Sequence, residues 1–428
     1  LRDEVRSSFG VNVFGYVTSN QSQGVIARNL IATLRQRGIP VAVTDVVPES
    51  GGTGHDETEC VTGCDEASTQ PHPVTIFCFN PLDSEEFLRS NPRLVRRDRL
   101  TAVVVFVEHQ KLRSEFRPFL AAVDLVLSPT KFVSDAVQAG VPGSITVPFR
   151  QSILVPPGVT SDRMRWNMSE TDIVFAFGFD TLSDSTRKNP VGLVAAFQAA
   201  FPDRSDVALV LKIGHLAADK SLGGEALRAV ALAKNDPRVR IIEEELTYLE
   251  VLSLYASADV VSSLHRSEGL GLLMMEAMSV GTPVMATAYS GNLDYMTPEN
   301  SVLVECELVS VETKYPGYSE MVGAAVWAEP KISSAVAAMR RLADNQKLRR
   351  TLTTRALRDM EIRRERVGSG DLLRELDRAL ARPDVWRSHT SRRLRLWWCA
   401  YRPKPKYGVG DLRHVVAVRV KRVVNRRP

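Results

Sequence analysis

Short continuous runs of apolar residues recur along the first 150 positions. They are VNVFGYV (11 to 17), VAVTDV (41 to 46), VTIFCFN (74 to 80), LTAVVVFVE (100 to 108) and DLVLSP (124 to 129). Unbroken Val- and Ile-rich runs of this length suit strands covered on both faces, as in a parallel sheet. Between them GVIARNLIATLRQRG (24 to 38) and TKFVSDAVQAG (130 to 140) show helical spacing and end in glycine. The rhythm breaks in ILVPPGVTSDRMRWNMSETD (153 to 172) and then restarts. IVFAFGF (173 to 179), VALVLKI (207 to 213), VRIIEEE (239 to 245), DVVSSL (259 to 264) and PVMATA (283 to 288) alternate with helices predicted to begin near Pro190, Thr247 and Gly271. Alternation of this kind predicts two successive doubly wound α/β domains, with ligands at the carboxyl ends of the strands, in a cleft between the domains. The expected boundaries are 1–165, 166–365 and, for charged helices and a basic tail, 366–428.

Composition narrows the class. A chain of 428 residues suits two cores of about 150 to 200 residues each. No stretch of about 18 apolar residues occurs, and the opening LRDEVRSSFG lacks the apolar centre of a secretory signal, so a cytoplasmic protein is expected. Five scattered cysteines fit a reducing compartment. The net charge of +5 is local: from Arg382 onward 14 Arg and Lys residues face only Asp384 and Asp411, leaving the rest of the chain net negative. That pattern excludes a basic catalytic domain built for nucleic acid. In the tail, cations surround Trp397, Trp398 and Tyr401. Such a mixture suits an anionic membrane surface, where each basic residue contributes about 1 kcal/mol. A helix packed on the first domain with a solvated end accounts for it equally well.

Two carboxylates stand out in SLHRSEGLGLLMMEAMSVGTPVMA (263 to 286). Glu276 lies in a helix apolar on every face, where an unpartnered charge costs several kcal/mol. Glu268 precedes that helix, beside Gly269 and Gly271, where backbone amides point outward and an anion binds readily. HDETECVTGC offers His55, Cys60 and Cys64 without a zinc-like spacing, and GHLAADKS lacks the second glycine of a phosphate loop. No GxGxxG follows the first strand, which argues against a nicotinamide enzyme.

HRSEGLGLLMMEAMSVGTPVMATAYSGNLDYM resembles the donor-binding signature of retaining GT-B glycosyltransferases of the group 1 type. FGFDTLSDSTRKNPVGLVAAFQAAF (177 to 201), with SLHRSEGLGL and YSGNLDYM, looks like the polysaccharide and lipopolysaccharide mannosyltransferase branch. The resemblance runs over roughly 11 to 345 and implies the GT-B fold. It implies that Glu268 approaches the donor hexose and that the backbone of Gly269, Leu270, Gly271 and Leu272 holds sugar and phosphate oxygens. Glu276 would take the ribose hydroxyls, and Arg187 and Lys188 would neutralise the leaving diphosphate. His265 and Gly178 would border the same site; where relatives carry Gly-Arg this chain has Gly178, Phe179 and Asp180. In the first domain Gly24 and Asn80 match donor- and acceptor-side loops, while Glu108 and His109 match the strand end facing the reacting carbon.

The expected activity is transfer of a hexose, mannose from GDP-mannose first among the candidates, to a glycan or lipid-linked acceptor. No obligatory cofactor or catalytic metal is implied, and the site would work on the inner face of the plasma membrane. A sugar-nucleotide epimerase on a similar scaffold and an inactive sugar-nucleotide-binding or membrane adaptor are the competing readings. The epimerase would turn over without an acceptor.

Overall fold

The structure, a computed structural model, describes residues 9–19, 21–48, 70–368, 370–401 and 418–419. The chain divides into two compact units. The first comprises the chain up to Val107, Lys111–Gln151 and the part from Glu365 onward; the second comprises Glu108–Gln110 and Ser152–Arg364.

In the first unit, β1 (Val11–Gly15), β2 (Val41–Asp45), β3 (Val74–Cys78), β4 (Leu100–Val104), β5 (Leu125–Ser128) and β6 (Thr146–Pro148) form one sheet in the order β2-β1-β3-β4-β5-β6. Every pairing is parallel. Each strand lies inside an apolar run of the sequence except β6, which is three residues long and too short for periodicity to reveal. Helix α1 (Ser22–Gln36), α2 (Pro81–Ser90) and α3 (Lys131–Gly140) follow β1, β3 and β5. An aromatic core of Phe14, Phe77, Phe79, Phe87 and Phe119 fills the space above the sheet.

In the second unit, β7 (Ile173–Asp180), β8 (Val207–Gly214), β9 (Val239–Ile242), β10 (Val260–Ser263), β11 (Val284–Thr287) and β12 (Val302–Val304) pair in parallel in the order β9-β8-β7-β10-β11-β12. Helix α4 (Pro190–Ala200) starts with proline at its first turn, and α5 (Tyr248–Ser257) starts with a capping box between Thr247 and Glu250. Helix α6 (Leu272–Ser279) follows β10, and α7 (Ile332–Asp344) packs against α4. A hairpin of β13 (Cys306–Ser310) and β14 (Val326–Pro330) lies outside the sheet. Apolar periodicity does not reveal this hairpin: its first strand is largely exposed, and its second is a five-residue run ending in proline.

The chain returns to the first unit through α8 (His389–Tyr401). Leu396, Cys399 and Ala400 enter the first aromatic core. Arg393 pairs with the buried Asp124, whose other oxygen meets His389 Nδ1 at 3.0 Å. Asp124 also accepts the Thr101 amide at 2.8 Å, and Arg393 donates to Thr101 Oγ1 at 2.6 Å. The tail therefore begins as a helix packed on the first unit, one of the two forms the sequence left open; the chain beyond Tyr401 lies outside the described residues apart from 418–419. Among the described residues no helix is long and apolar enough to cross a membrane.

Candidate functional site

The strand order of the second unit reverses between β7 and β10. Loops leaving the carboxyl ends of two such strands diverge and open a crevice, the usual ligand position in an open α/β sheet. Here those loops are 181–189 and 264–271, and side chains from one are stitched to the other. Asp184 caps the short turn Ser185–Lys188 by accepting the Thr186 amide at 2.9 Å. Asn189 adopts φ +56°, caps α4 through Gly192 N, and donates to Leu264 O at 2.9 Å. The Arg266 amide donates to Arg187 O at 2.7 Å.

This stitching brings two cations onto one carboxylate. Glu268 Oε1 lies 3.0 Å from Arg187 Nη1 and 2.5 Å from Lys188 Nζ. Burial opposes charge on Glu268, yet the two cations hold its carboxyl down to about 2. The two cations differ in access. Arg187 is 2% exposed and also donates to Ser267 O and Ser183 Oγ, so its guanidinium is locked in place. Lys188 retains 21% side-chain exposure and reaches the site from its rim.

The backbone of Glu268 is held from the other side. Its amide donates to Ser290 Oγ at 2.8 Å, and its carbonyl accepts from Gly291 N at 2.9 Å. Ser290 sits at φ +77°, an unfavourable region for a side-chain-bearing residue. A Cβ on Gly291 would lie 2.1 Å from Gly269 O. Gly291→Ala is therefore expected to push the 268–269 loop outward, costing roughly 1–3 kcal/mol of stability and, if the loop binds a nucleotide sugar as the sequence resemblance implies, weakening that binding by about tenfold or more. Calorimetric titration and denaturant melts check both; unchanged binding would show that this loop does not shape the site.

His265 was expected to border the same site as Glu268. It is fully buried, with Nδ1 3.1 Å from Ser263 Oγ and Nε2 3.2 Å from both Tyr289 O and Asn292 Oδ1. Both partners of Nε2 are acceptors, so Nε2 carries the proton and Nδ1 accepts from Ser263. Burial lowers its pKa, with Glu268 opposing, so the ring is neutral. It steadies Tyr289 and Asn292, whose neighbours Ser290 and Gly291 grip Glu268.

Helix α6 opens at Gly271, φ +80°, with no side chain capping it and no acidic residue in its first turn. Met274 N and Met275 N bond to Gly271 O, while the amides of Leu272 and Leu273 precede the first helical hydrogen bonds and leave the positive end available to an anion. Tyr295 Oη donates to Gly271 O at 2.6 Å and fixes this turn, and Leu270 is buried beneath it. One turn further, Glu276 is 5% exposed. Burial lifts its carboxyl to about 7, only partly opposed by the neighbouring Tyr248 hydroxyl. Tyr255 stands close enough to feel that charge, and a Cβ on Gly178 would lie 2.6 Å from the Tyr255 hydroxyl. Gly178 thus makes room for a side chain of α5. The sequence reading named neither tyrosine, because both belong to an ordinary apolar helix pattern.

Glu108 and His109 group with the second unit through the hairpin. Tyr318 Oη donates to Glu108 Oε2 at 2.9 Å, and the Tyr318 ring meets His109 edge-on at 4.5 Å. Trp327 stacks on the other side of His109 at 6.1 Å. His109 is 2% exposed, so the hairpin covers it. Arg187 feels Glu108, Tyr318 and Glu268 together, and these keep its pKa above the ordinary value against the effect of burial. Tyr315 Oη donates to Leu182 O at 2.7 Å, tying the same hairpin loop to the 181–189 segment. Tyr318 carried no legible signal, since the two tyrosines of KYPGYSE fit any loop.

Gly24 and Asn80, expected to face substrate, are both accounted for by local packing in the first unit. A Cβ on Gly24 would meet Ser19 O at 2.2 Å and Tyr16 O at 2.5 Å, so the glycine accommodates its own loop. Asn80 caps α2, with Oδ1 accepting from Leu82 N and Asp83 N and Nδ2 donating to Asp83 at 2.7 Å. Among the described residues no group of three His, Cys, Asp or Glu side chains could hold a metal; His55, Cys60 and Cys64 lie outside them.

Residues 185–307 match the family model of Glycosyl transferases group 1, a span that contains Arg187, Lys188, Glu268 and Glu276. No curated protein matches the chain. Among solved structures, the sucrose-phosphate synthase of Thermosynechococcus elongatus is 16% identical with a TM-score of 0.61, over 86% of this chain and 99% of that one. Anabaena Alr3699/HepE, in complex with UDP and glucose, is 14% identical with a TM-score of 0.59, over 87% of this chain and 99% of that one. S. aureus TarM, as a mutant bound to UDP and α-GlcNAc-glycerol, is 12% identical with a TM-score of 0.50 over 72% of this chain. The match spans 55% of TarM's length, about half. Both Rossmann-like units thus have the GT-B architecture of these neighbours.

Proposed function

We propose that the chain is a retaining glycosyltransferase that moves a hexose from a nucleotide sugar to a hydroxyl of a glycan or lipid-linked acceptor in cell-surface polysaccharide synthesis. The observation that carries this reading is a pair of buried carboxylates, Glu268 and Glu276, flanking the uncapped N-terminus of α6, with Lys188 beside the first. On this reading the diphosphate lies at that N-terminus, Glu276 accepts the ribose hydroxyls, and Glu268 approaches the hexose. The bond from the anomeric carbon to the diphosphate oxygen breaks, and its electron pair leaves with the diphosphate. The acceptor oxygen bonds to the same face of that carbon, and its proton passes to the departing diphosphate. Lys188 stabilises the charge that develops there, and Arg187 holds Lys188 and Glu268 in register. Glu108 serves the acceptor side, and His109, covered by the hairpin, supports it.

Mannose from GDP-mannose is the donor that the polysaccharide-branch likeness of residues 177–201 favours; the UDP bound by two of the neighbours puts UDP-hexoses beside it. The basic tail extends the reading to an anionic membrane surface carrying the acceptor. A panel of GDP- and UDP-sugars, scored by thermal shift and by nucleotide release with and without glycan acceptors, tests the reading. Stabilisation by one donor with acceptor-dependent release supports it. Release or sugar isomerisation without acceptor would favour an epimerase, and no shift with any donor would remove the site.

The raised pKa of Glu276 sets the expected pH dependence. Hydroxyls donate best to the ionised carboxylate, so donor affinity should fall as pH drops through about 7, approaching tenfold per pH unit below it. A sugar diphosphate diester does not titrate in this range, so the protein dominates the profile. The free protein behaves oppositely: the stability associated with neutral Glu276 is fully present below about 4.5 and is lost as pH rises towards 7. Glu276→Gln should flatten the affinity profile, and Glu276→Ala should weaken donor binding more than Glu268→Ala, which lowers turnover. A wild-type affinity flat between pH 5.5 and 8 would remove the ribose role.

A further inference from the structure

The face of α8 turned away from the first core carries Leu394, Trp397, Trp398 and Tyr401, each more than half exposed. Their spacing of three, four and seven residues makes one continuous apolar stripe along the helix. Among the described residues, every large aromatic counted as exposed lies on this stripe. Trp397 and Tyr401 stack at 4.6 Å, so their rings form a single flat surface. The opposite face is fixed by the buried contact of Arg393 and His389 with Asp124 and by Leu396 and Cys399 in the core. The helix cannot roll to hide its aromatic face without breaking that buried contact. An apolar patch held outward in this way marks an interaction surface.

We propose that this face of α8 docks on an anionic lipid surface. Tryptophan and tyrosine favour the boundary between headgroups and acyl chains, where an apolar ring and a polar edge are both satisfied. Directly after Tyr401 the sequence brings nine Arg and Lys residues against one Asp, and Arg395 is exposed on the helix itself. Aromatic insertion beside a polybasic segment supplies the two signals that stable membrane attachment requires. A second copy of the chain is disfavoured as the occupant, since each copy carries the same strongly basic tail sequence. The docking rests on the transferase reading for what the membrane presents, an acceptor, and on α8 and its tail for the contact itself.

Co-sedimentation of the full chain with vesicles tests it, using phosphatidylcholine alone and phosphatidylcholine with about one third phosphatidylglycerol. The expected result is binding to the anionic vesicles about tenfold or more above the neutral ones, weakened by salt, with a blue shift of tryptophan emission. Trp397→Ser combined with Trp398→Ser should lower that partition by roughly tenfold or more and leave the thermal midpoint unchanged, because both rings are exposed. Equal partition of variant and wild type, equal binding to neutral vesicles, or self-association abolished by the same substitutions would overturn it. Nucleotide release with a water-soluble acceptor and no vesicles separates the two readings. The double variant should retain it; loss of release in all proteins with vesicle binding intact would sink the transferase reading and leave the docking supported.

Discussion

Lys188→Ala is expected to lower turnover about 10²–10³-fold while leaving the protein folded. The side chain is the accessible member of the cation pair on Glu268, so its removal leaves no buried cavity and no orphaned buried charge. Glu268 keeps Arg187 at 3.0 Å and stays ionised. What disappears is a fixed positive charge at the mouth of the crevice, where the departing diphosphate becomes more negative. A cation placed there in advance stabilises the transition state without reorganisation, and it is worth more than the same charge in water. On the proposed reading the α6 amides hold the bound donor, so donor affinity should change less than turnover. Arg187→Ala is the contrasting control: it strips a buried carboxylate of its inner partner and should cost about 3–5 kcal/mol of stability. Steady-state kinetics beside a denaturant melt separates the two. Lys188→Ala with wild-type turnover would mean the leaving group is stabilised elsewhere.

Asp124→Ala should destabilise the first unit by about 3–5 kcal/mol. The carboxylate is buried, and three groups converge on it: the Arg393 guanidinium, the His389 ring and the Thr101 amide. Alanine leaves a guanidinium that is 4% exposed with no countercharge and removes the contact that fastens α8. Asp124→Asn keeps the volume and one acceptor, so it should cost less than alanine. The midpoint of the first unit's unfolding transition checks both variants; a loss under about 1 kcal/mol for alanine would show that apolar packing of Leu396, Cys399 and Ala400 alone holds the helix.

The parallel strands were legible because both faces are covered, which makes the apolar runs continuous and their ends sharp. The N-termini of α4, α5 and α6 were legible from Pro190, Thr247 and Gly271, residues whose backbone chemistry fits a helix start. Glu268 and Glu276 announced themselves by costing too much where they stood. The supporting residues did not. Ser290 at φ +77°, Tyr318 over Glu108 and Tyr248 on Glu276 act through contacts between segments far apart in sequence, and one-dimensional patterning holds no trace of such contacts. His265 stands with them. Its place three residues before Glu268 suggested the crevice, and its buried ring acts on the loop after β11, again a contact between distant segments.

The return of α8 to the first unit has a consequence for synthesis. A ribosome reading from the amino end completes the sheet β1 to β6 early, but the partner that neutralises Asp124 is encoded some 270 residues later. Residues 152–364 form a continuous stretch of the second unit and emerge before that partner does. The half of the protein made first is therefore the half finished last. Until Arg393 arrives, the nascent first unit lacks the cation that pairs with Asp124 and the helix that covers part of its aromatic core.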